Sequence, residues 1–300
     1  MANLYTHAES NNRKTILYLT GFFLLVIALG WVFSTVLQSQ IILWVAVVLS
    51  IAMSFGSYWY SDKLVLSMSR AKEIKKDDAP ELYRIVENLS ITAGLPVPRI
   101  YIIEDAQPNA FATGRNAKHG VVAVTTGLLQ RLDRTELEGV MAHELSHIGN
   151  KDMLISTVVV VLVGMVVLLA DLFFRMAFFG GMGRDDRGGQ ARIILILVAV
   201  VFLILAPLLA NAMKMAISRK REFLADASGA LLTRYPDGLA RALEKIAADP
   251  NQLRTANDAT AHLYIANPFR GKEKKSWLHK LFMSHPPTEE RVAALRGMGV

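Results

Sequence analysis

Between Thr15 and Ser61 the chain carries no charged residue, an unbroken run of 47 positions. As one α-helix this run would be roughly 70 Å long, against a hydrocarbon core of about 30 Å, so it suits two crossings of a bilayer and not one. Gln38-Ser39-Gln40 supplies the polar break, giving one span over 15–37 and a second over 41–60. The second ends in Tyr58-Trp59-Tyr60, an interfacial aromatic cluster. Two more apolar runs follow: Met153–Ala170, 18 residues, and Ile193–Met213, 21 residues. A glycine-rich turn over 179–189 lies between them. Their lengths are near the lower limit for spanning, and a buried core hairpin is the alternative to a membrane hairpin. Neither of the first two spans holds an ionisable group, so they mark no transport path.

The formal charge is +7, and the cations sit beside the apolar runs. Lys214, Arg219, Lys220 and Arg221 follow the fourth run directly, and the 62–152 segment is rich in Lys and Arg. The Gln38 break is uncharged, and the 179–189 turn balances two Arg with two Asp. The positive-inside rule then places both termini and the polar regions on the cytoplasmic side of the membrane. This pattern explains the basic balance without nucleic acid. The first run is too long for a signal-peptide core and follows Arg13-Lys14, so it reads as an uncleaved anchor. The chain has no cysteine, which excludes disulfides, thiolate metal sites and cysteine nucleophiles. Any metal centre must use His and carboxylate.

The pattern divides the chain into a membrane hairpin (1–61), a polar part (62–152), a second hairpin (153–213) and a helical C-terminal part (214–300). In the polar part, Asp78-Ala79-Pro80-Glu81 opens a helix that stops at Gly94. Arg99–Glu104 and Gly120–Thr125 read as strands, with Ala110–Thr113 a third between them. Asp133, with Glu136 three residues on, forms a capping box for a helix through Gly149. Further helices are expected over 221–233, 236–248 and 287–296, with a loop over 249–275. The fold class is α+β, mostly α.

That capped helix carries His143-Glu144-Leu145-Ser146-His147, an HExxH motif. Imidazoles at i and i+4 point the same way, one turn apart, and can share one zinc ion. With Leu137 at 0°, Met141, Leu145 and Ile148 fall at about 40°, 80° and 20°, and Glu144 at about 340°, inside the apolar stripe. A carboxylate there needs a partner, and a dication with its water is one. Glu144 is then the general base. Two crossings return the chain to its starting side, so Glu222, just past the fourth run, can reach the two His as third ligand. Asp226, one turn on, suits an acceptor for an imidazole N–H.

HExxH, the Glu222–Asp226 segment EFLAD, Pro108–Ala112 (PNAFA) and Ser284-His285-Pro286-Pro287 together resemble the HtpX family, membrane-bound zinc metalloproteases of bacteria related to the CAAX prenyl endopeptidases. The resemblance covers nearly the whole chain. It implies a gluzincin-like fold, cytoplasmic catalysis at the inner membrane and proteolysis of misfolded membrane proteins. It also implies zinc ligands His143, His147 and Glu222, with Glu144 as base. An extended edge strand over Asn109, Ala110 and Phe111 could pair with a substrate backbone. His285 could donate to an oxyanion. Arg219 could face a carboxylate near the site or simply hold the membrane boundary. Two rivals remain. One is an intramembrane zinc protease using an Asp such as Asp237 in Tyr235-Pro236-Asp237-Gly238. The other is a membrane adaptor with a structural metal.

Overall fold

The computed structural model describes residues 40–153, 221–255, 260, 263–268 and 286–298, with scattered positions between 17 and 34. The third and fourth apolar runs, the 179–189 turn, Arg219 and His285 lie outside the described residues, as does most of the first run.

Helix α1 spans Gln40–Met68, eight residues beyond the expected end of the second apolar run. The extension has a packing reason. Val65 and Leu66 are 2% and 7% exposed, buried in the polar domain, and Asp62 faces Arg99. Higher up the same helix, Ile41, Trp44, Val45, Val48, Ile51 and Phe55 are exposed. One helix thus runs without a linker from an apolar exterior into the domain core. Among the described residues no helix is long and apolar enough to cross a membrane, the apolar part of α1 being described only in part.

Strand β1 (Lys72–Glu73) follows, then helix α2 (Pro80–Ala93), strands β2 (Arg99–Ile103), β3 (Ala110–Thr113) and β4 (Val121–Thr125), and helix α3 (Thr126–Arg131). Helix α4 (Arg134–Gly149), a helix α5 described over 221–233, α6 (Pro236–Ala248) and α7 (Thr288–Arg296) complete the set. The helix expected at Pro80 does end at Gly94, which takes a left-handed φ of 65°. Two elements go beyond the sequence expectation. β1 is only two residues long, and α3 starts at once after β4 with Thr125 as its cap.

The sheet order is β1-β2-β4-β3, with β2 and β4 parallel and the outer pairs antiparallel. Strand periodicity sorts its side chains onto two faces. Ile100, Ala110, Ala112, Val122 and Val124 share one apolar cluster with residues of α2, α4 and α6, in which α4 packs on β3 and α6 packs on α4. Tyr101, Ile103, Phe111, Val121 and Ala123 face the end of α1, Leu253 and Tyr264. All of β4 is buried, which is why its sequence VVAVT is continuously apolar rather than alternating. β3 lies at the sheet edge, alongside α4.

Helix α4 starts from a complete capping box. Asp133 accepts from the Glu136 N–H, and Glu136 accepts from the Asp133 N–H. Glu136 is buried, and Lys245 of α6 donates to it at 2.6 Å. The cap therefore also ties α4 to α6. Replacing Glu136 with Ala removes both links. It is expected to cost about 1–3 kcal/mol, read as a lowered melting temperature in detergent.

Candidate active site

His143 and His147 lie in the last two turns of α4, His143 fully buried and His147 partly so. Their Nε2 atoms are 3.1 Å apart and their rings are perpendicular, at 90°. Glu222 Oε1 lies 3.5 Å from His147 Nε2, and Glu222 Oε2 lies 3.7 Å from His143 Nε2. One ligand atom from each residue falls within 4.8 Å of the others, so the three could hold a metal ion.

Glu222 reaches this point because α5 lies hard against α4. Glu222, Asp226 and Gly229 sit at i, i+4 and i+7, on one face of α5. A Cβ on Gly229 would stand 3.0 Å from the His143 nitrogen and 3.2 Å from its Cα. Glycine is what allows the two backbones to meet there. Gly229→Ala should push the helices apart by a few tenths of an ångström. The expected result is about 1–3 kcal/mol of lost stability and weaker metal binding, measured together by melting with and without added zinc.

Each imidazole is held from behind by a carboxylate. Asp226 accepts from His143 Nδ1 at 2.9 Å, and Asp152 accepts from His147 Nδ1 at 3.2 Å. A carboxylate can only accept, so each Nδ1 carries a proton, and in its neutral form each ring presents the Nε2 lone pair toward its neighbour. Two lone pairs converging at 3.1 Å repel unless a proton or a cation lies between them. Two nitrogens on one tetrahedral zinc, each about 2.0–2.1 Å from it, would stand about 3.3 Å apart. The donor set therefore fits zinc. Arg221 faces Asp152, and Arg291 faces Glu222 and Asp226.

Glu144 is 1% exposed, in the apolar stripe where its angular position placed it. Burial, with the nearby Glu222 charge, pushes its carboxyl up to about 7, against pulls from His147, Arg291 and the Ala112 N–H it accepts. Burial opposes a charge on His143 and lowers its pKa despite Asp226. Burial works against His147 too, but the Asp152 hydrogen bond and the Glu222 charge outweigh it and hold His147 at about 9. A folded value above the ordinary 6.5 means that the imidazolium stabilises the metal-free fold fully below pH 6.5 and less as pH rises through about 9. The melting temperature of the chelator-treated protein should accordingly fall between pH 6.5 and 9, and Asp152→Asn should flatten that fall.

Asn109, Ala110 and Phe111 are all buried. Asn109 exchanges hydrogen bonds with Ala266, and the Ile265 N–H donates to the Ala110 carbonyl at 2.9 Å. Phe111 packs edge-on against Tyr264, on the sheet face away from α4. Asp237 is elsewhere, between Arg241 and Arg296 at the start of α6. Two site neighbours are absent from the residues that the sequence singles out. Asp152 lies just past the end of α4, where an acidic residue five positions after His147 was the available signal. Arg291 shares a buried face of α7 with Val292 and Leu295, so the stripe argument applied to Glu144 would have found it.

An HExxH helix beside a mixed sheet edge, with a carboxylate delivered from a later helix, defines a metallopeptidase. The sequence profile of peptidase family M48 matches residues 76–299. The Protease HtpX homolog of Thermoanaerobacter pseudethanolicus is 44% identical over 302 residues, covering 98% of each chain. That of Thermococcus sibiricus is 47% identical over 281 residues, 93% of this chain and 92% of its own. The crystal structure of S. mikatae Ste24p superposes with a TM-score of 0.51 at 19% identity, over 97% of this chain and 66% of that one, a likeness of fold. The chain belongs to peptidase family M48 and, within it, to the HtpX proteases.

Proposed function

We propose that the protein is a membrane-bound zinc endopeptidase that cleaves misfolded or damaged membrane proteins on the cytoplasmic side of the bacterial inner membrane. The observation that carries the catalytic part is the convergence of His143, His147 and Glu222 next to a buried Glu144 with a pKa of about 7. His143, His147 and Glu222 would hold the zinc, and Asp226 and Asp152 would orient the imidazoles. The ion, when bound, polarises the scissile carbonyl and makes water a better nucleophile near neutral pH. Glu144 takes a proton from the attacking water and delivers it to the leaving amine. A pKa near the working pH lets one carboxyl do both. The Ala112 N–H fixes the carboxyl against β3, so its position is set by the sheet as well as by α4.

An extended substrate would run along β3, the sheet edge beside Glu144, gaining backbone hydrogen bonds that read no side chain. To use the Ala110 carbonyl it displaces the Ile265 N–H that occupies it. Such recognition suits unfolded segments of many sequences. The exposed apolar side chains along α1, continuous with a buried end in the catalytic domain, support a lipid anchor rigidly joined to the enzyme. Polar surroundings at the start of α4, where Glu136 and Lys245 pair, favour this reading over cleavage inside the bilayer.

Glu144→Gln is expected to keep zinc and to lose peptide cleavage by about 10²–10⁴-fold, the usual span for a general base. Glu222→Ala should lose zinc, whereas Asp237→Ala should retain it. Metal analysis paired with cleavage of an unfolded protein such as casein reads all three. Zinc retained by Glu222→Ala, or cleavage retained by Glu144→Gln, would sink the assignment.

A further inference from the structure

Arg291 is the largest fully buried side chain among the described residues. Its Nε donates to Asp226 Oδ2 at 2.9 Å and its Nη2 to Asp226 Oδ1 at 2.7 Å. The same Oδ1 receives His143 Nδ1 at 2.9 Å. Nη1 donates to the Ile265 carbonyl at 3.0 Å and lies 3.4 Å from Glu222 Oε2. Each of the three guanidinium nitrogens thus has a fixed protein partner.

Geometry decides what this cation does. Two parallel hydrogen bonds fix the plane of a carboxylate as well as its position. An Asp226 held by one oxygen alone could turn about its side chain and carry the His143 ring with it. Held by both, it cannot. The other imidazole has an equivalent but looser chain: Asp152 accepts from His147 at 3.2 Å, and Arg221 Nε stands 3.8 Å from Asp152. That chain is also more exposed, with side chains of His147 and Arg221 at 16% and 13%.

We propose that Arg291 is a positioning residue whose fork locks Asp226, and through it His143, so that the last helix of the chain sets the metal affinity of a site built on α4 and α5. This rests on the zinc reading of the site. Arg291 does not meet the substrate, because its donors are already engaged within the protein.

The test uses the full-length protein in detergent. Arg291→Lys keeps the cation and loses the fork, Arg291→Met loses both, and Arg221→Gln probes the looser arm. Zinc dissociation constants come from competition with a chromophoric chelator, and the visible spectrum of the Co²⁺-loaded protein reports ligand geometry. Arg291→Met is expected to weaken zinc binding by about 10–100-fold and to alter the Co²⁺ spectrum. Arg291→Lys is expected to lose less, and Arg221→Gln less again. Added to Asp226→Asn, Arg291→Lys should cost less than it costs alone, since the Nε and Nη2 arms of the fork already lack their carboxylate partner, leaving only the contact of Nη1 with Glu222 to lose. Zinc added to saturation should raise the activity of Arg291→Lys, which keeps the cation near Glu144, by refilling empty sites.

Three results would overturn the proposal. One is a zinc constant within about twofold of wild type in folded Arg291→Lys. Another is an Arg291→Lys loss as large in the Asp226→Asn background as in wild type. The third is an Arg291→Lys activity that added zinc does not raise, although its metal sites were part-empty. If Arg291→Met does not fold, Arg291→Lys and its combination with Asp226→Asn decide between the same outcomes. His143→Ala separates the two levels of inference. Zinc lost there but unchanged in the Arg291 variants defeats this proposal alone, while zinc retained there defeats the site assignment.

Discussion

The contact between α4 and α5 at His143 and Gly229 is the constraint on which everything else in the site depends. Two residues of α5 carry carboxylates to imidazoles of α4, and side chains of that length reach only if the backbones nearly touch. Ordinary core packing keeps helix axes about 8–10 Å apart. A missing side chain at the crossing brings them to the near end of that range. Gly139 serves the same purpose a turn earlier on α4, where a Cβ would stand 2.7 Å from the Leu239 nitrogen of α6. α4 is gripped by close approaches on two sides, so its two imidazoles have little freedom to drift.

Close approach also concentrates charge in a largely buried place. Asp226, Glu222, Glu144 and Asp152 are all buried. Isolated carboxylates in such a setting would take up protons rather than stay ionised. Arg291 keeps Asp226 ionised despite its burial, holding its pKa below the ordinary value. Arg291 acts on Glu144 too, but more weakly than burial does, and Glu144 is pushed up. Two neighbouring carboxylates thus differ in protonation because one is forked by a guanidinium and the other lies against an apolar stripe. This division separates a group that orients from a group that moves a proton.

Much of the fold could be read from local pattern. The helix from Pro80 to Gly94, the strands at 99–103, 110–113 and 121–125 and the capping box at Asp133 all rest on signals within a few residues of each other. What escaped was short or long-range. β1 has two residues and exists only because β2 offers it an edge. The continuation of α1 to Met68 reflects burial of Val65 and Leu66 against the sheet, which no window of sequence around them records. The pairing of residues 265 and 266 with Asn109 and Ala110 links positions more than 150 apart, inside a segment without periodicity.

By itself the sequence determined the chemistry: two imidazoles one helical turn apart, a carboxylate misplaced onto an apolar face, and an acidic pair beyond two further apolar runs. Those follow from helical geometry and from the cost of burying charge, which act locally. Only the tertiary structure decided which distant groups complete the site. Asp152 behind His147, Arg291 behind Asp226 and Gly229 against His143 are chosen by helix crossings, and a crossing is a property of two surfaces that no single stretch of chain contains.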